Sequence, residues 1–144
     1  MPWPATLLGT TFSKAQYPEA INIAVSEQQF STRLRYQKIF YTQQSSNTAW
    51  GLSVQTTGFA LLADSTISAV TYFFAYSEAS LQKLKSALGQ PSVSSVYNPV
   101  SDSEIYAYKR GRYNLLLCHM EDLADKILVT FTSSAADSSY LKMD

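Results

Sequence analysis

The stretch from Ser77 to Pro91 constrains this chain more than any other, because it carries every signal of a single helix. Ser77 is placed to cap it, and Leu81, Leu84 and Leu88 recur at i, i+3 and i+7 on one side. Gly89 then supplies the left-handed stop and Pro91 forbids resumption. A helix over 78–88 follows. One apolar stripe must be buried against something else, and the flanking sequence offers strands.

Upstream, Trp50, Leu52 and Val54 alternate with Gly51, Ser53 and Gln55, which is the period of a strand with one wet face. Thr56-Thr57-Gly58 reads as a turn into Phe59 to Ala63, and Asp64-Ser65 as a second turn into the run Ile67 to Tyr76. Downstream, Glu104 to Lys109 and Tyr113 to Cys118 read as strands joined at Arg110-Gly111. A polar loop from His119 to Asp125 precedes a final alternation of Ile127, Val129 and Phe131. Earlier in the chain, Arg33 to Thr42 reads as a strand, and Pro18 opens a helix with Ile21, Ala24 and Val25 on one side. Residues 1–16 read as an extended arm or edge segment and 133–144 as a loose tail.

The expectation is an α+β fold, one domain over 1–144, with a mostly antiparallel sheet of seven or eight strands and two helices packed on one face. Gly58-Phe-Ala-Leu-Leu-Ala parallels Arg112-Tyr-Asn-Leu-Leu-Leu, and Val70-Thr-Tyr-Phe parallels Val129-Thr-Phe. These matches suggest a tandem helix-plus-meander repeat over 18–76 and 77–132. Short apolar matches also arise between unrelated meanders, so chance resemblance stands beside duplication.

Composition narrows the function classes. Lys plus Arg and Asp plus Glu are 11 each, leaving no net field for a phosphate backbone or an anionic surface, so nucleic acid is not an expected partner. No apolar run reaches the roughly 18–20 residues that span a bilayer. Polarity comes instead from 20 Ser, 12 Thr and 10 Tyr, a balance that suits strands. The start, Met1-Pro-Trp-Pro, has no basic and apolar leader, so the expected compartment is cytoplasmic, or periplasmic or extracellular if a signal has been removed.

No catalytic or cofactor pattern stands out. Cys118, His119, Glu121 and Asp122 cluster in sequence, but strand alternation sends Cys118 and His119 to opposite faces, and no second histidine exists to complete a metal set. The expectation there is a polar hairpin loop, with no catalytic residue, no metal and no cofactor. No serine sits in Gly-x-Ser-x-Gly, and five glycines form no phosphate-cradling loop.

More suggestive is the run Tyr106-Ala-Tyr108-Lys-Arg110-Gly-Arg112-Tyr113. Tyr106, Tyr108 and Arg110 share one strand face, with Ile105 and Ala107 facing the core, and Arg112 and Tyr113 follow at the turn. Tyr and Arg are enriched at contact surfaces, because they bury area yet keep a polar handle. The expected function is a non-enzymatic protein-binding module using this exposed face, with another protein as partner and a homo-oligomer allowed. The alternative is a carrier of a small apolar ligand between sheet and helices.

Leu81-Gln-Lys-Leu84 followed by Leu88-Gly89-Gln-Pro91 resembles the helix closure of the tandem helix-plus-sheet repeats in β-lactamase inhibitor proteins and small bacterial outer-envelope lipoproteins. That resemblance covers about a dozen residues and implies an architecture in which a protein-binding role of the inhibitor, immunity or envelope-accessory type would be at home. It carries no functional residue across.

Overall fold

The computed structural model describes residues 3–13, 21–23, 38–42, 47–62, 64–98, 103–119 and 124–133. In chain order the elements are α1 (Pro4–Leu7), β1 (Ile21–Ile23), β2 (Lys38–Thr42), β3 (Thr48–Ala49), β4 (Leu52–Ser53), β5 (Thr56–Leu61) and β6 (Ile67–Ala75). There follow α2 (Glu78–Leu88), β7 (Val93–Asn98), β8 (Ser103–Arg110), β9 (Tyr113–His119) and β10 (Lys126–Ser133). Antiparallel pairing builds an eight-stranded sheet in the order β1-β2-β5-β6-β10-β9-β8-β7, and β3 and β4 form a separate hairpin. Each half is thus a four-strand meander, and the two meanders meet along β6 and β10. At that seam Thr71 pairs with Thr130, and their hydroxyls lie 2.9 Å apart.

The helix forms as its signals require. The Ser77 hydroxyl accepts the Ser80 N–H at 3.0 Å, Glu78 supplies negative charge in the first turn, and Gly89 sits at φ 81° with its N–H donating to the Lys85 carbonyl. Leu81, Leu84 and Leu88 are 4%, 0% and 4% exposed and join Tyr72, Phe74, Tyr108, Leu115, Leu117, Ile127, Val129 and Phe131 in one core. Burying three leucines this way contributes about 1.5–3 kcal/mol each. The same sheet face continues over the first meander, where Phe59, Leu61, Ile67 and Val70 pack with Phe12, Leu7 and Leu8. Its cover there is an irregular segment. The N–H of Gly9 donates to Ile67, Ile67 returns a bond to Thr10, and Thr11 bridges to Thr66.

Four readings of the sequence are corrected. Ile21 to Ile23 is an edge strand paired with Ile39 to Tyr41, so the helical spacing begun at Ile21 loses to sheet pairing; Pro18, Ala24 and Val25 lie outside the described residues. The segment 1–16, read as an extended arm or an edge segment, is helical at Pro4–Leu7 and packs against the sheet, while its Thr11 bridges to Thr66 as an edge segment would. Thr56-Thr57-Gly58 is strand, with Gly58 opposite Thr71, and the turn lies earlier, at Trp50-Gly51. Both of those residues take positive φ, 51° and 77°, as a two-residue type I′ hairpin demands. Finally, Val93–Asn98 is a strand that the sequence reading passed over. The Arg33–Thr42 strand is described from Lys38 onward. Of the tail, Ser133 belongs to β10 and the rest lies outside the described residues.

Candidate functional site

The tyrosine face of β8 lies under α2. Tyr108 is 1% exposed in the main core, and Tyr106 is half-buried against it. The cause is register: Tyr106 stands opposite Leu117 and Tyr108 opposite Leu115, so these four share the face that the helix leucines cover. The expected open Tyr/Arg sheet face is therefore corrected. Ala107, assigned by alternation to the core, is buried too, because both faces of this part of the sheet are enclosed: Asn114, Leu115, Leu116 and Leu117 are buried in succession.

The polar ends of these tyrosines tie the sheet to the helix. Tyr106 Oη donates to Glu104 at 2.9 Å, and Lys85 Nζ approaches the same carboxylate at 3.6 Å while lying 4.7 Å from the Tyr106 ring centre. Partial burial works to lower the Lys85 pKa, but Tyr106 and Glu104 outweigh it and leave the ammonium favoured above its ordinary range. Burial pushes the Tyr108 phenol up. Arg110 donates to the Leu88 carbonyl at the helix C-terminus and to its neighbour's carbonyl, with its guanidinium 5.7 Å from the Tyr108 ring centre. It closes the helix, where a cation suits the dipole. Arg112 and Lys109 are exposed at the same hairpin, and Tyr113 is half-buried with its ring 6.1 Å from Phe131.

Tyr113 leads into the feature that sequence reasoning missed. The chain's two tryptophans, 47 positions apart, come together over Phe131: Trp3 meets Trp50 edge-on at 5.4 Å and Phe131 edge-on at 5.1 Å, and Trp50 lies parallel to Phe131 at 6.2 Å. Among the described residues Trp3 is the exposed large hydrophobic side chain, at 41%. Trp50 holds positive φ, a conformation that costs a bulky residue about 1 kcal/mol, and the aromatic packing offsets it. The hairpin tip is also close to α2, since a Cβ on Gly51 would stand 2.8 Å from Lys83 Nζ. The signal available in the sequence was the dipeptide Trp50-Gly51, a turn rather than mid-strand, which would have freed Trp50 from its alternation with Leu52.

At the other end of β9, His119 stacks on Tyr76 with ring centres 4.1 Å apart, and its Nε2 meets the Ala124 carbonyl at 3.0 Å. A carbonyl only accepts, so Nε2 carries the proton and this nitrogen ties down the start of β10. The Tyr76 hydroxyl donates to Glu78, which raises its pKa, while Gln82 and then Tyr76 hold Glu78 below the usual carboxylate range. Burial pushes the Cys118 thiol up to about 12, which keeps it protonated and unreactive at neutral pH. No group of three His, Cys, Asp or Glu that could hold a metal occurs among the described residues, and no described helix is long and apolar enough to cross a membrane.

No family model matches the chain, and no curated protein matches it. Among solved structures it is similar to the crystal structure of a DUF4309 family protein, YjgB, from Bacillus subtilis, with 27% identity. The match covers 55% of this chain and 57% of that one, at a TM-score of 0.39. At that score the likeness transfers neither fold nor function.

Proposed function

We propose that the chain is a non-enzymatic protein-binding module, of the inhibitor, immunity or envelope-accessory kind, whose contact surface is the Trp3–Trp50–Tyr113 patch and the neighbouring β8–β9 turn. The observation that carries this reading is Trp3, an indole left 41% exposed while its edge rests on Trp50 and Phe131. A half-seated aromatic ring loses little freedom when a partner covers it, which is why Trp and Tyr dominate contact energetics. Of the residues first expected to bind, Tyr113 belongs to this surface through its packing near Phe131, and Arg112 precedes it at the exposed β8–β9 turn. Tyr106, Tyr108 and Arg110 serve it indirectly by fixing α2 on the sheet.

In this reading the architecture is a tandem meander repeat over 18–76 and 77–132, with the strand Ile21–Ile23 where a helix-plus-sheet repeat of the β-lactamase inhibitor kind would place helix. The meander-to-meander arrangement and the Thr71–Thr130 pair at its centre support it.

The test is comparative capture followed by titration. Immobilised wild-type protein is exposed to a lysate of the source organism, the retained protein is purified, and its affinity is measured for wild type, Trp3→Ala and Arg112→Ala. Trp3→Ala should weaken binding by about 1–4 kcal/mol, with a smaller loss for Arg112→Ala and little change in its melting temperature. Equal affinities across the three would overturn this surface. A small apolar molecule released from the wild-type protein in native mass spectrometry would favour the carrier reading instead.

A further inference from the structure

We infer that Asn114 and Thr132 form a buried receptor for one hydroxyl group, on the sheet face opposite the aromatic patch. Alternation fixes the side: Trp3 and Trp50 pack on Phe131, and Thr132, the next residue, projects the other way. Register lines up one row on that face, from Lys109 through Asn114, Thr132 and Ala69 to Ala60. The row opens to solvent at Lys109, whereas Asn114 and Thr132 are 4% and 0% exposed. Among the described residues, Asn114 Oδ1 and Thr132 Oγ1 nevertheless have no hydrogen-bond partner.

Leaving such oxygens unbonded costs free energy, so nearly all buried polar atoms are satisfied by protein or by an ordered guest. The neighbouring row shows how this sheet closes a polar pair by itself: Thr71 and Thr130 stand opposite each other, and their hydroxyls lie 2.9 Å apart. Thr132 and Asn114 stand in the same relation and do not bond to each other. Cβ atoms so opposed are about 4.5–5.5 Å apart, which lets one intervening oxygen reach both side chains. The chemistry of the pair names that oxygen. An amide carbonyl only accepts, so the guest must donate to Asn114, while the threonine hydroxyl either gives or takes. A hydroxyl meets both demands with a single atom. A carboxylate or ether cannot donate, and an ammonium would bring a second cation into the row of Lys109. Water and small polyols both carry the required group.

Nuclear magnetic resonance of the protein in water, and then with ethylene glycol added, tests this. Wild type should show an Overhauser cross-peak between the Asn114 and Thr132 side chains and a long-lived guest. Replacement of the water peak by ethylene glycol protons would identify a site for organic hydroxyls, and its persistence would identify the guest as water; both results support the receptor. Thr132→Val should remove the peak and lower the folded-to-unfolded ratio at least about fivefold in chemical denaturation, because Asn114 loses its bridge. For an oxygen with no guest, the same change would be neutral or stabilising. Should Thr132→Val fail to fold, Thr132→Ser, which keeps the hydroxyl, should retain the peak and Asn114→Leu should abolish it. Four results would each overturn the proposal: no guest peak in wild type, a Thr132→Val protein at least as stable as wild type, a peak indifferent to Asn114→Leu, or a crystal structure in which the Thr132 hydroxyl bonds Asn114 directly.

Discussion

One face of the sheet is covered twice, by two unlike means. Over the second meander lies α2, eleven residues with a cap, a leucine stripe and a glycine stop. Over the first lies a segment whose helix, among the described residues, is four residues long, begun at Trp3 without a side-chain cap, and which reaches the sheet through Leu7, Leu8 and Phe12. The regular cover brings its own hydrogen bonds. The irregular one adds to a few local bonds others made to the start of β6 and the turn before it, Gly9 and Thr10 at Ile67 and Phe12 at Ser65. A periodic cover is therefore stabilised partly by local signals, whereas an irregular one depends on the sheet being formed first.

The comparison can be broken most severely at Leu84, fully buried between α2 and the sheet. Leu84→Ala should cost about 2–5 kcal/mol in chemical denaturation, and a loss below about 0.5 kcal/mol would mean that α2 does not hold the second meander together. Phe12→Ala probes the other cover. Phe12 is 9% exposed and packs on Phe59 at 5.3 Å, so a loss of about 2–3 kcal/mol is expected, smaller than for a fully enclosed aromatic ring. An unchanged midpoint would show the N-terminal segment to be an ornament on an already complete sheet. The smallest effect concerns the local signal itself: Ser77→Ala removes the bond to the Ser80 N–H and should lower stability by about 1 kcal/mol. If this loss matched that of Leu84→Ala, the distinction between local signals and packing would fail.

The contrast between covers also explains what could be read beforehand. Three leucines at helical spacing between Ser77 and Gly89 have one sensible interpretation, and so does the long β6 run. Ile21 did not, since its helical spacing was short and pairing with Tyr41 outweighed it. At Tyr106 and Tyr108 the alternation was right and the assignment of faces was not. Tyrosine suits either side of a sheet, and only the register against Leu115 and Leu117 decides which one. The Trp3–Trp50 contact joins residues far apart in sequence through a turn and a four-residue helix, so no periodicity announced it. β7 escaped for the opposite reason: two valines among serines carry almost no hydrophobic pattern, and its partner strand supplies the order.

The seam between β6 and β10 has a kinetic consequence. Every other ladder of the eight-stranded sheet joins strands that succeed one another within it, so each meander gathers its contacts from nearby sequence. The seam alone brings Ala69–Ala75 against Lys126–Thr132, across the whole second half. Loop closure over that span must be met before its bonds and the Thr71–Thr130 contact repay it. Refolding speed would then be set by how late those two threonines meet, with the meanders assembling quickly on either side and waiting for the join.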